Sequence, residues 1–306
     1  MSSRIPADLA ASIRQKLLNY SRKKKEDFNY VITRYAQERL LYRLSKSVYA
    51  DDFVLKGGLM LLVWEENPYR PTRDMDLLGY GESSSSRMIE VFKSICSMEF
   101  PDALVFDIDS VEAKDIRGQQ EYNGIRIKLK AFLQKALIPL QIDIGFGDTI
   151  FPKSEFNEFP TILNMPSPFL HTYSRYSFVA EKYEAMVKLG IANSRMKDFS
   201  DIWMMSKIYN FDGVATSKAI KSTFERRNTE IPLSLPVAFS KAFANDSVKN
   251  TQWLAFLERS RSITSPDILG NLVIFIGGFL MEPTLSCHSM LPFNKEWLPG
   301  GPWINK

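Results

Sequence analysis

Three successive runs in the first half of the chain alternate apolar and polar residues: ALVFDIDSVEA, YNGIRIKLKAF and LIPLQIDIGFGD. A period of two belongs to strands with one buried face. In the last run Leu140, Ile142 and Ile144 fall on one face, and Gln141, Asp143 and Gly145 on the other. From Tyr176 the period changes to 3.6, in SFVAEKYEAMVKLGI and SRMKDFSDIWMMSKIY, and helices are expected to dominate to about residue 281. A chain that builds a sheet first and helices afterwards is α+β. We expect a mixed-sheet domain with flanking helices over residues 1–165 and a helical domain over 166–306.

Ahead of the strands, residues 8 to 48 read as one or two helices, through Leu9, Ile13 and Leu17, then Phe28, Val31, Ile32 and Tyr35. In DDFVLKGGLMLLVWEE the Gly57-Gly58 pair interrupts an apolar segment too long for one strand, so a strand or loop should pass into a helix there. DMDLLGY reads as a strand, and Ser83 to Ser86 as a turn that starts a helix. The last stretch, MEPTLSCHSMLPFNKEWLPGGPWINK, is rich in Pro and Gly and is expected to be irregular.

Composition removes several classes. With 306 residues, 45% apolar and 24% charged, the chain can bury a core, and disordered and fibrous classes fall away. A net charge of +4 permits a polyanionic partner without demanding one. Cys96 and Cys287 are far apart and outside any C-x-x-C pair, so neither a disulfide framework nor a thiolate zinc site is indicated, and a reducing, cytoplasmic setting is expected. MSSRIPADLAASIRQKL lacks the apolar run of a signal peptide. ILGNLVIFIGGFLM is shorter than the roughly 20 residues a bilayer requires, so it is expected to be a buried core helix, with no membrane partner. His171 and His288 are the only histidines, Cys287-His288 lies in the Pro-flanked tail, and neither a P-loop nor a G-x-G-x-x-G motif is present.

The residues that carry chemistry are acidic. In YRPTRDMDLL, Asp74 and Asp76 are two apart, which on a strand puts them on one face about 6.6 Å apart along the chain. Two like charges at that separation repel by about 2.5 kcal/mol at an effective dielectric of about 20, so a partly buried pair needs a cation or a proton. Mg²⁺ suits one or two carboxylates together with substrate phosphates. Asp143 lies inside the apolar LQIDIGF, where strands disfavour Asp and unpaired burial is costly, and is a candidate third carboxylate of a phosphoryl-transfer site. The blander reading of any D-x-D is a solvated pair. Further on, Arg195, Asp198 and Asp201 recur at i+3, either as surface ion pairs or as an acidic helix face that holds the Lys182 of FVAEKYEAM toward a triphosphate.

Taken in order, VLKGGLMLL, RPTRDMDLL, LQIDIGFGD, FVAEKYEAMVKLG and SRMKDFSDIW resemble the nucleotidyltransferase toxins of the AbiEii/AbiGii family, a branch of the DNA polymerase β-like nucleotidyltransferases. The resemblance spans about residues 50 to 210 and includes the R-x-[ST]-x-D-x-D, E-K and R-x-K-D-x-x-D motifs. It implies Mg²⁺- or Mn²⁺-dependent transfer of a nucleoside monophosphate from an NTP, with release of pyrophosphate. Asp74 and Asp76 would bind the metal, with Asp143 as third ligand and activator of the acceptor hydroxyl. Lys56, Gly57, Gly58, Arg70, Thr72, Lys182 and Asp201 would meet the nucleotide, and Asp198 completes the essential set. Leu59 departs from the family, where Ser or Thr commonly follows the glycines.

The resemblance further implies an RNA acceptor, tRNA above all, and an antitoxin partner in phage defence or growth control. Arg22 to Lys25, Arg34, Arg39, Arg43 and Lys46 could serve RNA phosphates, or form a solvated helix face. Two other readings compete. Pro101-Asp102 with Glu112-Ala113-Lys114 fits the loose P-D…E-x-K pattern of metal-dependent nucleases, and the same fold could bind nucleotide or RNA without turnover.

Overall fold

The computed structural model describes residues 7–65, 70–117, 123–260 and 265–306. The first six residues, part of the stretch read for a signal peptide, lie outside them. The first part of the chain runs α1 (Ala7–Lys24), α2 (Phe28–Lys46), β1 (Phe53–Lys56), α3 (Met60–Trp64), β2 (Met75–Gly79), α4 (Ser85–Cys96), β3 (Leu104–Arg117), β4 (Asn123–Leu133), β5 (Ala136–Phe146), β6 (Glu155–Glu158) and β7 (Phe169–Thr172). It continues as α5 (Arg175–Leu189), α6 (Met196–Ile208), β8 (Phe211–Asp212), α7 (Gly213–Arg226), α8 (Lys241–Asn245), α9 (Ser247–Ser260), α10 (Leu269–Ser286), β9 (Lys295–Trp297) and β10 (Trp303–Asn305). The fold is α+β, as the change of period implies.

Contacts divide the chain into two units. One comprises Met1–Pro68, Thr72–Gly147 and Glu155–Thr172; the other comprises Tyr69–Pro71, Asp148–Ser154 and Tyr173–Lys306. In the first, seven strands pair in the order β3-β4-β5-β2-β1-β7-β6. The sheet is mixed: β2 runs parallel to β5, β1 runs parallel to β7, and the other pairs are antiparallel. Leu55, Leu77, Ile144 and Ile125 form one cross-strand row, with Met75, Ile142 and Ile127 in the next. All seven are buried in a core that also takes Val31, Tyr35 and Leu41 from α2 and Met88, Phe92 and Ile95 from α4. Apolar residues at alternate positions therefore commit one sheet face to the helices and leave the other parity for polar groups.

Local signals set the helix starts. Asp27 accepts from the Tyr30 amide at 2.9 Å, Ser84 from Arg87 at 3.2 Å, Ser174 from Ser177 at 3.2 Å and Asp212 from Ala215 at 2.7 Å. At the end of α5, Gly190 adopts φ +48°, a conformation that suits glycine.

The arginines of α2 correct an expectation. Arg34, Arg39 and Arg43 do not form a solvated basic face; all three are buried. Arg43 grips Asp102 with both terminal nitrogens, at 2.6 and 3.1 Å, and Arg39 donates to the Pro166 carbonyl at 2.7 Å. Of the basic residues assigned to RNA, the run Arg22 to Lys25 at the end of α1 is exposed. The same ion pair removes the nuclease motif: Asp102 is shut in with Arg43, whereas Glu112 and Lys114 lie exposed on β3. Removing one member of a buried pair strands the other, so Arg43→Ala is expected to lower stability by about 3–5 kcal/mol in urea unfolding.

The helical unit is organised by α10. Its buried residues Leu269, Leu272, Val273, Ile276, Phe279, Leu280 and Pro283 recur at spacings of three, four and one, a stripe down one side of the helix. At 18 residues it is longer than the apolar run suggested, and it has the length and apolarity to cross a membrane; half of it is buried inside this unit. The tail is not irregular. β9 pairs with both β8 and β10, and two tryptophans anchor it: Trp297 Nε1 donates to the Ser206 carbonyl at 2.7 Å and Trp303 Nε1 to Phe279 at 2.8 Å. Pro and Gly residues hid a ribbon that is held by aromatic burial.

Candidate active site

The sheet unit aligns the acidic candidates. Lys56 on β1 is the cross-strand partner of Asp76 on β2, Asp76 of Asp143 on β5, and Asp143 of Arg126 on β4. Lys114 on β3 extends the line as partner of Arg126. Directly opposed residues point to the same face, so five adjacent strands present a row of charges in the order plus, minus, minus, plus, plus. This row lies between two buried apolar rows and has the opposite parity. Asp74 stands one residue before β2 and is exposed, while Asp76 is half-buried.

Asp143 is held. Arg126 donates from Nε to Oδ1 at 2.8 Å and from Nη2 to Oδ2 at 2.7 Å, a two-pronged contact across the strands. Those hydrogen bonds, opposed by burial and aided by the charges of Asp143, Asp74 and Asp76, hold the guanidinium above the ordinary arginine value. All three carboxylates therefore act on one cation. Sequence reasoning missed Arg126. Its parity was visible in GIRIKLK, but its partner depends on register.

Gly57 has a definite task, and it differs from the open phosphate loop expected of the glycine pair. It follows directly on β1 at φ +67°, and a Cβ placed on it would lie 1.9 Å from Asp76 Oδ2. The space left by the missing side chain is taken by the Asp76 carboxylate. Gly57→Ala is expected to cost about 1–2 kcal/mol for its left-handed backbone and to push Asp76 aside. Displacing that carboxylate should lower the transfer rate at least about tenfold. A variant with native activity would remove this role. Gly57 to Leu59 form a single 3-10 turn before α3, and Leu59 is fully buried in the core. That burial explains why an apolar residue stands there.

The stretch before β2 is pinned from α2. Gln37 donates to the Arg73 carbonyl at 2.7 Å, and the Tyr30 hydroxyl bonds to the backbone of Thr72. Thr72 is buried. Gln37 and Tyr30 thus fix the backbone just ahead of Asp74, and nothing in their own sequence neighbourhood marks them.

In the helical unit, Lys182 of α5 meets Asp198 Oδ1 at 2.7 Å and Asp201 Oδ2 at 2.8 Å, both on α6. Arg70 grips Asp201 through Nε at 2.6 Å and Nη2 at 2.7 Å, and Arg195 Nε lies 2.6 Å from Asp198 Oδ2. Both aspartates are completely buried, so the i+3 carboxylates are not surface ion pairs. Burial alone would push the Lys182 ammonium down, but Asp198 and Asp201 outweigh it and hold it above the usual lysine value. Burial likewise opposes ionisation of Asp201, and Arg70 and Lys182 overcome it and bring the group to about 2. The adjacent Glu181 faces other partners: it accepts from the Tyr173 hydroxyl at 3.0 Å and lies 3.1 Å from Arg227.

The donors suit a hard divalent cation in part. Asp74 and Asp76 offer carboxylate oxygens of the kind that Mg²⁺ takes beside substrate phosphates. Asp143 is different, because both of its oxygens accept from Arg126. Among the described residues no three His, Cys, Asp or Glu side chains are grouped to hold a metal. Of the three carboxylates expected to hold the metal, Asp143 is thus engaged by Arg126, and Asp74 and Asp76 remain as candidate ligands.

Carboxylates lined up on neighbouring strands beside a glycine turn make a framework suited to phosphoryl transfer. The chain belongs to the family described as nucleotidyl transferase AbiEii toxin, type IV toxin–antitoxin system, whose profile matches residues 39–271. It is therefore a nucleotidyltransferase. No curated protein matches it in sequence. Two solved structures from Helicobacter pylori are similar. JHP933 is 13% identical with a TM-score of 0.45, over 82% of this chain and 93% of that one. The second is 12% identical with a TM-score of 0.46, over 83% and 93%.

Proposed function

We propose that this toxin transfers a nucleoside monophosphate from an NTP to the 3′ end of an RNA, most simply a tRNA, in the cytoplasm, and that a cognate antitoxin opposes it. The observation that carries the reading is the alignment of Asp76 with Asp143 on adjacent strands beside Gly57. In the reaction the acceptor oxygen bonds to the α-phosphorus, the α–β anhydride bond breaks, pyrophosphate leaves and the hydroxyl proton passes to a base.

Asp74 and Asp76 would hold Mg²⁺ or Mn²⁺, which when bound neutralises charge on the phosphates. Asp76 is set by the backbone of Gly57, and Asp74 by the stretch that Gln37 and Tyr30 pin. Asp143 is assigned the acceptor proton. Lys56 stands in register with Asp76 and is assigned to phosphate, together with the Gly57-Gly58 backbone. In the helical unit the family's motifs assign Lys182 and Arg70 to the triphosphate. Asp198 and Asp201 keep both cations charged and in place. The exposed Arg22 to Lys25 run is a candidate for RNA phosphates.

The test is incubation of the purified protein with Mg²⁺, each α-labelled NTP in turn and total tRNA. Label from at least one NTP should join the 3′ end, with stoichiometric pyrophosphate. RNA that is shortened rather than extended, or no incorporation with any NTP and any cellular RNA, would overturn the reading.

A further inference from the structure

We propose that Arg126 is a built-in cation that occupies Asp143, so that the site seats one divalent ion, on Asp74 and Asp76, instead of two. The inference rests on the metal-binding reading of those two aspartates and goes beyond it in giving the site its metal count. Two-metal sites use a shared carboxylate to hold their ions a few ångströms apart. Here the residue placed for that role, in register beside Asp76, has both oxygens engaged by one guanidinium.

The charges agree. Arg126 places one positive charge against Asp143, and its removal takes that charge away from the carboxylates, which favours a further cation there. Arginine also suits this place better than lysine, because its planar fork matches both carboxylate oxygens and it does not lose its charge. The blander alternative is an ordinary cross-strand ion pair on a half-exposed sheet face, worth tenths of a kcal/mol. The two differ in one measurable way. A mere ion pair has no effect on how many metal ions bind.

Mn²⁺ titrated into the full-length protein without nucleotide, with free ion read by electron paramagnetic resonance, counts the ions directly. The native protein should bind one ion per chain. Arg126→Ala should bind a second ion, or bind the first about tenfold more tightly, as removal of a neighbouring positive charge requires. Arg126→Lys, which keeps the charge and loses the fork, should fall between them. It also serves as the folded comparison should Arg126→Ala be destabilised. The gain should vanish in Arg126→Ala/Asp143→Asn.

An unchanged count and affinity in both Arg126 variants would overturn the proposal while leaving the metal reading intact. A gain that survives Asp143→Asn would do the same. If Asp76→Asn binds Mn²⁺ as tightly as the native protein, or if no variant binds it, the metal reading fails and this inference with it.

Discussion

Asp76→Ala is expected to lower nucleotide transfer at least about 10³-fold and to leave the protein folded. A cation held at the reacting phosphates contributes several kcal/mol to the transition state, and each 1.36 kcal/mol is a factor of ten. On the proposed assignment, losing one of the two carboxylate ligands removes most of that contribution. The fold should tolerate the change, because Asp76 is half-buried and its neighbours Met75 and Leu77 keep their places in the core. Removing Asp76 relieves repulsion from Asp74 but also takes an attraction from Arg126, so the melting temperature should move little. Single-turnover transfer and thermal unfolding, measured on the same preparation, separate the two effects. Asp74→Ala should behave likewise, and Glu112→Ala should transfer normally. Activity within about tenfold of native in both aspartate variants would refute the assignment of the pair.

The buried ion cluster of the helical unit yields the second large effect. Asp201→Ala leaves Arg70 and Lys182 inside the protein with fewer anions, and breaking such a pair from one side costs about 3–5 kcal/mol. Lys182→Met has the opposite logic. The cluster holds three cations and two anions, and without Lys182 it retains two of each, Arg70 with Asp201 and Arg195 with Asp198. Its stability should therefore change by about 1 kcal/mol or less, while transfer is abolished. A large loss of stability in Lys182→Met would show that the lysine is structural.

Acid should expose the same cluster. The folded Asp201 titrates near 2, below its ordinary value of 3.8, so the stability it lends is complete above about pH 4 and is lost as pH falls toward 2. The native protein should lose stability over that window. Asp201→Asn should lose less there and start from a lower value at neutral pH. Parallel acid slopes for the two proteins would count against the cluster as the source.

Much of this was readable along the chain, and the failures have physical causes. Alternation located β3, β4 and β5, and a period of 3.6 located α5 and α6, because both signals are carried by neighbours in sequence. Serines and aspartates ahead of the helices foretold caps for the same reason. The tail failed because Pro and Gly describe turns, whereas Trp297 and Trp303 form strands through contacts with Ser206 and Phe279, far away in the chain. The arginines of α2 failed differently. A basic helix looks solvated until Asp102 and the Pro166 carbonyl are found beneath it.

The site divides along the same line. Sequence by itself determined the acidic pair, the third aspartate, the glycine turn, Lys182 and the Asp198–Asp201 face, since each is a matter of residue type and local spacing. Only the tertiary structure decided that Lys56, Asp76, Asp143 and Arg126 stand in one row, that Asp76 fills the space beside Gly57, and that Arg70 belongs to Asp201. The reason is register. A strand's own residues settle which side each side chain faces, but a shift of one residue in pairing exchanges every partner, and that choice is made by the core packed against the whole sheet.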